Sequence, residues 1–247
     1  ALSHRRAIVA AAAQVVLCSV VPSLTPALSR ALRSLGAGPI RKVGRDIRVP
    51  LKNRYRRPRQ VGQDRLVGAF AAWCEFGDSA RRGRPGGRNP ESLDFARDSA
   101  LSGSRRAERG RKAESRDCIV VDFGTAITID LVTKQGEYLG GLIAPGPGIA
   151  LEALATRTAL LPMVELKEPP ELLGRDTASS IRSGVLHGSA ALCDGLIAQL
   201  KRRYAPKATV VGTGGAATLI AKHTRSIDHF RPHLVLEGLR QLASFRR

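Results

Sequence analysis

A chain of 247 residues, 43% hydrophobic but only 4% aromatic, is long enough for one large domain or two small ones, with a core built from Ala, Val, Leu and Ile. It has no run of 18 apolar residues, which argues against a membrane span. Its four cysteines (Cys18, Cys74, Cys118 and Cys193) lack paired or metal-ligand spacing and read as reduced thiols of a cytoplasmic protein. The net charge of +19 is uneven, because residues 1–116 carry 25 Lys and Arg against 9 acids and residues 117–247 carry 15 against 12.

At the N-terminus, Arg5-Arg6 followed by an apolar run to Leu17 has the outline of a secretory signal. The alternative, which we adopt, is a helix through residues 10–14 leading into a strand that begins at Val15-Val16-Leu17. Residues 23–35 place Leu24, Ala27, Leu28, Ala31, Leu32 and Leu35 on one helical stripe, which Gly36 terminates. Residues 61–73 predict a second helix with an apolar face, entered at Gly62. The stretch from Gly77 to Arg116 is rich in Arg, Gly and Ser and contains no Val, Ile or Thr. Such a composition buries too little apolar surface to offset ordering entropy and reads as a disordered insertion. An arm touching nucleic acid is the other reading, but no aromatic platform beyond Phe95 accompanies the arginines, so the solvated insertion is preferred.

Cys118–Asp122 is an apolar run of the buried-strand type, and residues 126–132 resume as a second strand. Between them Asp122-Phe123-Gly124-Thr125 is either a hairpin turn that happens to use Asp and Gly, or a phosphate loop. In the second case Gly124 lets backbone N–H groups approach a phosphate, Thr125 adds a hydroxyl, and Asp122 holds a cation or its water. Residues 133–137 predict a hairpin-type loop, and residues 148–158 and 178–203 predict helices. A strand at 209–213 enters Gly214-Gly215, residues 216–222 start a helix, and residues 236–242 form a final helical turn. Strands mixed with helices indicate an α/β fold. The five histidines show no metal spacing.

Several of these segments occur in one order: Ser19–Pro22, Tyr55 with Gly62-Gln63-Asp64-Arg65, Asp122–Thr125, Gly140–Gly146, Gly174–Thr177, Gly212–Gly215 and Leu236–Arg240. In that order they resemble the type III pantothenate kinases over roughly residues 15–75 and 117–243. The resemblance implies an actin-like, ribonuclease-H-like two-lobed ATPase fold. Residues 1–76 would be the remnant of the first lobe, 77–116 the basic insertion, and 117–247 the second lobe. It also implies an Asp-x-Gly-Asn-Thr phosphate loop on a first strand. This sequence has no such motif, so the first lobe is expected to be truncated, leaving either an inactive fragment that needs the missing segment or a relative that has dropped catalysis.

The same resemblance implies that ATP phosphorylates pantothenate in the first step of coenzyme A biosynthesis, with Mg²⁺ and a monovalent cation, potassium or ammonium. Asp64 would be the proton acceptor, and Tyr55, Gly62, Gln63, Arg65 and Thr177 would meet substrate, Thr177 across a homodimer interface. Arg65 is expected to hold Asp64 ionised or to meet substrate directly. Gly124, Thr125, Gly214 and Gly215 would meet ATP, and Asp122 the monovalent cation. From the residues alone, Asp64 is equally a helix N-terminal acid, Tyr55 a strand aromatic and Thr177 a helix N-cap. The same family includes the Bvg accessory factor, so a non-catalytic regulator that binds nucleic acid is the alternative.

Overall fold

The structure is a computed structural model that describes residues 14–21, 23–77 and 116–245. The expected helix at 10–14 and nearly all of the basic stretch 77–116 therefore lie outside the described residues. Strand β1 (Val15–Leu17) pairs in parallel with β2 (Ile40–Lys42), and α1 (Thr25–Ser34) connects them. Gly36, at φ +82°, ends the helix where the apolar stripe stops.

The main sheet has six strands. These are β3 (Lys52–Asn53), β4 (Cys118–Phe123), β5 (Ala126–Val132), β6 (Glu137–Pro145), β7 (Thr209–Thr213) and β8 (His229–Phe230), in the spatial order β3-β6-β5-β4-β7-β8. The run β4-β5-β6 is an antiparallel meander, whereas β7 lies parallel to β4 and β8 parallel to β7. The helices are α2 (Gln63–Ala72), α3 (Pro147–Arg157), α4 (Thr177–Arg203), the short α5 (Ala217–Ile220) and α6 (Leu234–Ser244). No helix among the described residues is long and apolar enough to cross a membrane.

Strand β4 shows why the sheet is central. Ile119, Val121 and Phe123 point to one face, where they pack with Leu186, Ala190, Cys193 and Ile197 of α4. Cys118 and Val120 point to the other face and meet Leu66, Ala69 and Ala72 of α2 together with Leu234 of α6. A strand covered on both faces is apolar along most of its length, as this one is apart from Asp122 near its carboxyl end. Segments from both sides of residues 78–115 thus share one core. Phe76 and Arg116 are also tied by a backbone hydrogen bond, Arg116 N–H to Phe76 C=O at 3.3 Å. Beside it the Arg231 guanidinium donates to Glu75 at 2.6 Å, fixing the π-helical turn Trp73–Gly77 to the end of β8.

Strand β6 is the main element that periodicity did not find. Its Gly140-Gly141 pair looks like loop punctuation, yet Ala126–Leu131 pairs continuously with it. The register slips between Leu131 and Val132, opposite Leu139 and Gly140, where Gly140 sits at φ +124°. A bulge of this kind bends a strand and is frequent beside active sites. The C-terminal helix is longer than the turn expected at 236–242.

Candidate active site

Strands β4 and β7 are parallel with Asp122 opposite Thr213, so both carboxyl ends open at the same edge of the sheet. Open α/β sheets bind ligands in this position. The Gly124–Thr125 turn follows β4, and Gly214–Gly215 follows β7. The two turns are joined by the Ala216 N–H, which donates to Phe123 C=O at 3.0 Å. Gly214 is at φ +100°, and a Cβ there would lie 2.7 Å from the backbone of Phe123 and would strike the Asp122 carboxylate. Only glycine fits this turn. Thr125 is exposed and Gly124 half-buried. The proposed phosphate-side residues Asp122, Gly124, Thr125, Gly214 and Gly215 therefore form one patch.

Helix α2 brings the second half of the site. Gly62 is its N-cap, Gln63 and Asp64 open its first turn, and the Arg65 N–H donates to Asp64 Oδ1 at 2.8 Å. Burial first, then the charges of Asp64 and Asp130, push the Asp122 carboxyl above its ordinary value. Asp64 and Asp122 therefore sit in one electrostatic neighbourhood. Burial and the Asp64 charge likewise push the Cys18 thiol up to about 11, which places the end of β1 beside the same carboxylate.

The Arg65 guanidinium is committed elsewhere than expected. It does not pair with Asp64; it grips Asp130 on β5, Nε to Oδ1 at 3.1 Å and Nη2 to Oδ1 at 2.5 Å. Asp130 is 1% exposed and also accepts the Tyr138 hydroxyl at 2.6 Å. Sequence reasoning passed over Asp130, although a carboxylate inside an apolar strand is a signal in itself, since buried charges occur paired. Tyr55 belongs to this group: its ring lies against Gly140, its N–H donates to Asn53 Oδ1 at 2.9 Å, and its phenol is within electrostatic reach of Arg65.

Thr177 stands differently from the rest. It opens α4 and is exposed, but the N-cap is Asp176, which closes a capping box with Ser179. The described hydrogen bonds and ion pairs do not link Thr177 to the Asp64–Asp122 group.

Glycine turns and carboxylates at the carboxyl ends of parallel strands suit phosphate and cation chemistry. A crystal structure of a Baf family protein from Campylobacter jejuni shares the fold, with a TM-score of 0.54 at 15% identity over 98% of this chain and 86% of that one. Fold and site together define a mixed α/β kinase of the actin-like class. The family profile "Type III pantothenate kinase" matches residues 2–80 and 106–199. Curated relatives include type III pantothenate kinase 1 of Symbiobacterium thermophilum, 40% identical over 91% of this chain and 72% of that protein. The type III pantothenate kinase of Desulfovibrio desulfuricans is 42% identical over 92% of this chain and 73% of that protein. The chain belongs to the type III pantothenate kinase family.

Proposed function

We propose that this chain, when supplied with the Asp-x-Gly-Asn-Thr phosphate loop that its sequence lacks, transfers the γ-phosphoryl group of ATP to the primary hydroxyl of pantothenate, giving 4′-phosphopantothenate and ADP. What supports this reading is the electrostatic influence of Asp64, at the start of α2, on Asp122, which lies with the two glycine turns at the ends of β4 and β7. A bond forms between the hydroxyl oxygen and the γ-phosphorus, the bond from that phosphorus to the β–γ bridging oxygen breaks, and the hydroxyl proton passes to Asp64. The loose transition state leaves the protein chiefly to position groups and balance charge. Backbone N–H groups of the Gly124–Thr125 turn and the Thr125 hydroxyl would meet the phosphates. Gly214 and Gly215 would leave bare backbone for the nucleoside side, and Tyr55, Gly62 and Gln63 would meet the substrate.

The residues at Asp122 fit a monovalent cation. The carboxylate is half-buried, two other carboxylates raise its proton affinity, and no described ion pair neutralises it. Potassium or ammonium held there would offset repulsion from the ATP phosphates. No group of three His, Cys, Asp or Glu among the described residues could hold a metal alone. That agrees with Mg²⁺ held largely by phosphates plus at most a carboxylate.

A homodimer completes the reading. Leu139, Leu142 and Ile143 on β6, Leu192 on α4 and Tyr204 just beyond its end are large exposed apolar side chains. A second copy would cover such a surface and would bring its Thr177 to the substrate. The test of function is product identity. With ATP, Mg²⁺, potassium and pantothenate, mass spectrometry should find ADP and 4′-phosphopantothenate in equal amounts. ADP release indifferent to pantothenate would refute the assignment.

A further inference from the structure

Asp64 and Arg65 are adjacent in sequence, and an arginine beside a general base is a liability. Paired with that base, a guanidinium would lower its affinity for a proton. The structure keeps the two apart. Arg65 turns under the sheet to Asp130, a contact between residues 65 positions apart. The Arg65 side chain is only 10% exposed there, and Tyr138 and Thr128 supply further donors to the same carboxylate at 2.6 and 3.4 Å. Gly141 makes room: a Cβ at that position would strike Asp130 and come within 2.9 Å of Arg65 Nη2.

We propose that Asp130 is a positioning residue for phosphoryl transfer, which sequesters the Arg65 guanidinium so that the neighbouring Asp64 carboxylate faces the reacting hydroxyl without a countercharge. Charge conservation gives the pairing its logic. Arg65 and Asp130 cancel, leaving the negative charges of Asp64 and Asp122 for a proton and a cation respectively. The bidentate grip also anchors the first turn of α2, and with it the Arg65 N–H that holds Asp64 Oδ1. The proposal rests on the reading of Asp64 as proton acceptor.

Two readouts test it, one independent of turnover. The Asp64 charge adds to burial in raising the Cys18 thiol, so a change in its alkylation rate, followed on the Cys18 peptide by mass spectrometry, reports a change in that charge. Asp64→Asn calibrates the response by removing the charge outright. Asp130→Asn should release Arg65 onto Asp64 and reproduce at least half of that rise on a logarithmic scale. It should also displace the acid limb of kcat/KM to lower pH and cut kcat by about tenfold or more, with a smaller change in pantothenate KM. Tyr138→Phe keeps the ion pair and should leave Cys18 at the wild-type rate.

Asp130→Ser, smaller and still able to accept from Tyr138, carries the same expectations if the Asn variant does not fold. A folded Asp130 variant with wild-type Cys18 alkylation and an unmoved pH limb overturns the proposal. So does failure of both Asp130 variants to fold while Asp64→Asn folds, which would make the pair purely structural. Full turnover by Asp64→Asn would instead remove the proton-acceptor reading, while the Cys18 rates would still report where Arg65 sits.

Discussion

Asp122 and Asp130 are both carboxylates in the central strands, and burial raises the proton affinity of each. At Asp130 a guanidinium and two hydroxyls oppose that effect, whereas at Asp122 two like charges add to it. The Asp122 carboxyl is raised above its ordinary 3.8, so the folded protein holds that proton more tightly than the unfolded chain does. Stability therefore falls as pH rises from 3.8 through the raised value, and the cost persists at neutral pH. In potassium-free buffer at pH 7, Asp122→Asn should melt at or above the wild-type temperature, and that advantage should vanish below pH 3.8. Added potassium should raise the melting temperature of wild type and leave the variant unmoved. A variant that melts lower and still responds to potassium would place the cation elsewhere. Residue-level chemistry was legible in part. The Asp122–Thr125 loop could be picked out because its parts are contiguous, whereas the partner of Arg65 could not, because the fold alone brings Asp130 to it.

At the scale of elements, the turn between β7 and α5 carries the sharpest constraint. Gly214→Ala forces φ +100° on a residue with a Cβ and drives that carbon into Phe123 and Asp122. Strain of this kind costs about 1–3 kcal/mol. The expected result is a lower melting temperature and an ATP KM raised at least about tenfold, with pantothenate KM much less affected, because ground-state nucleotide binding is what the turn supplies. Equal loss for both substrates would show that the turn serves the fold alone. Long elements with one dominant pattern, such as β4, β5 and α4, were readable to within a residue or two. The two-residue strands β3 and β8 have no period to read, since they exist through pairing with β6 and β7. Strand β6 was hidden by Gly140 and Gly141, which are there for the bulge and for the Arg65–Asp130 pair.

For the whole molecule, the question is what the basic stretch between Gly77 and Arg116 contributes. Its ends meet at the Phe76–Arg116 hydrogen bond, and the family match breaks across residues 81–105. Replacing residues 80–114 by a short Gly/Ser link should therefore leave melting temperature and kcat within error of wild type. Precipitation or lost turnover would show that the segment is structural. If the positive charge is incidental, DNA and RNA binding should be weak, indifferent to sequence, and lost steeply between roughly 50 and 200 mM salt. Sequence-selective binding at physiological salt would favour a regulator.

The central claim is that this chain is a kinase whose proton acceptor is Asp64, and the most direct measurement is the pair of constants kcat and ATP Kd for wild type and Asp64→Asn in potassium. The account predicts a kcat at least about a hundredfold lower in the variant, with ATP Kd little changed, because the carboxylate acts on the hydroxyl proton in the transition state and does not bind nucleotide. Near wild-type turnover by Asp64→Asn would contradict it.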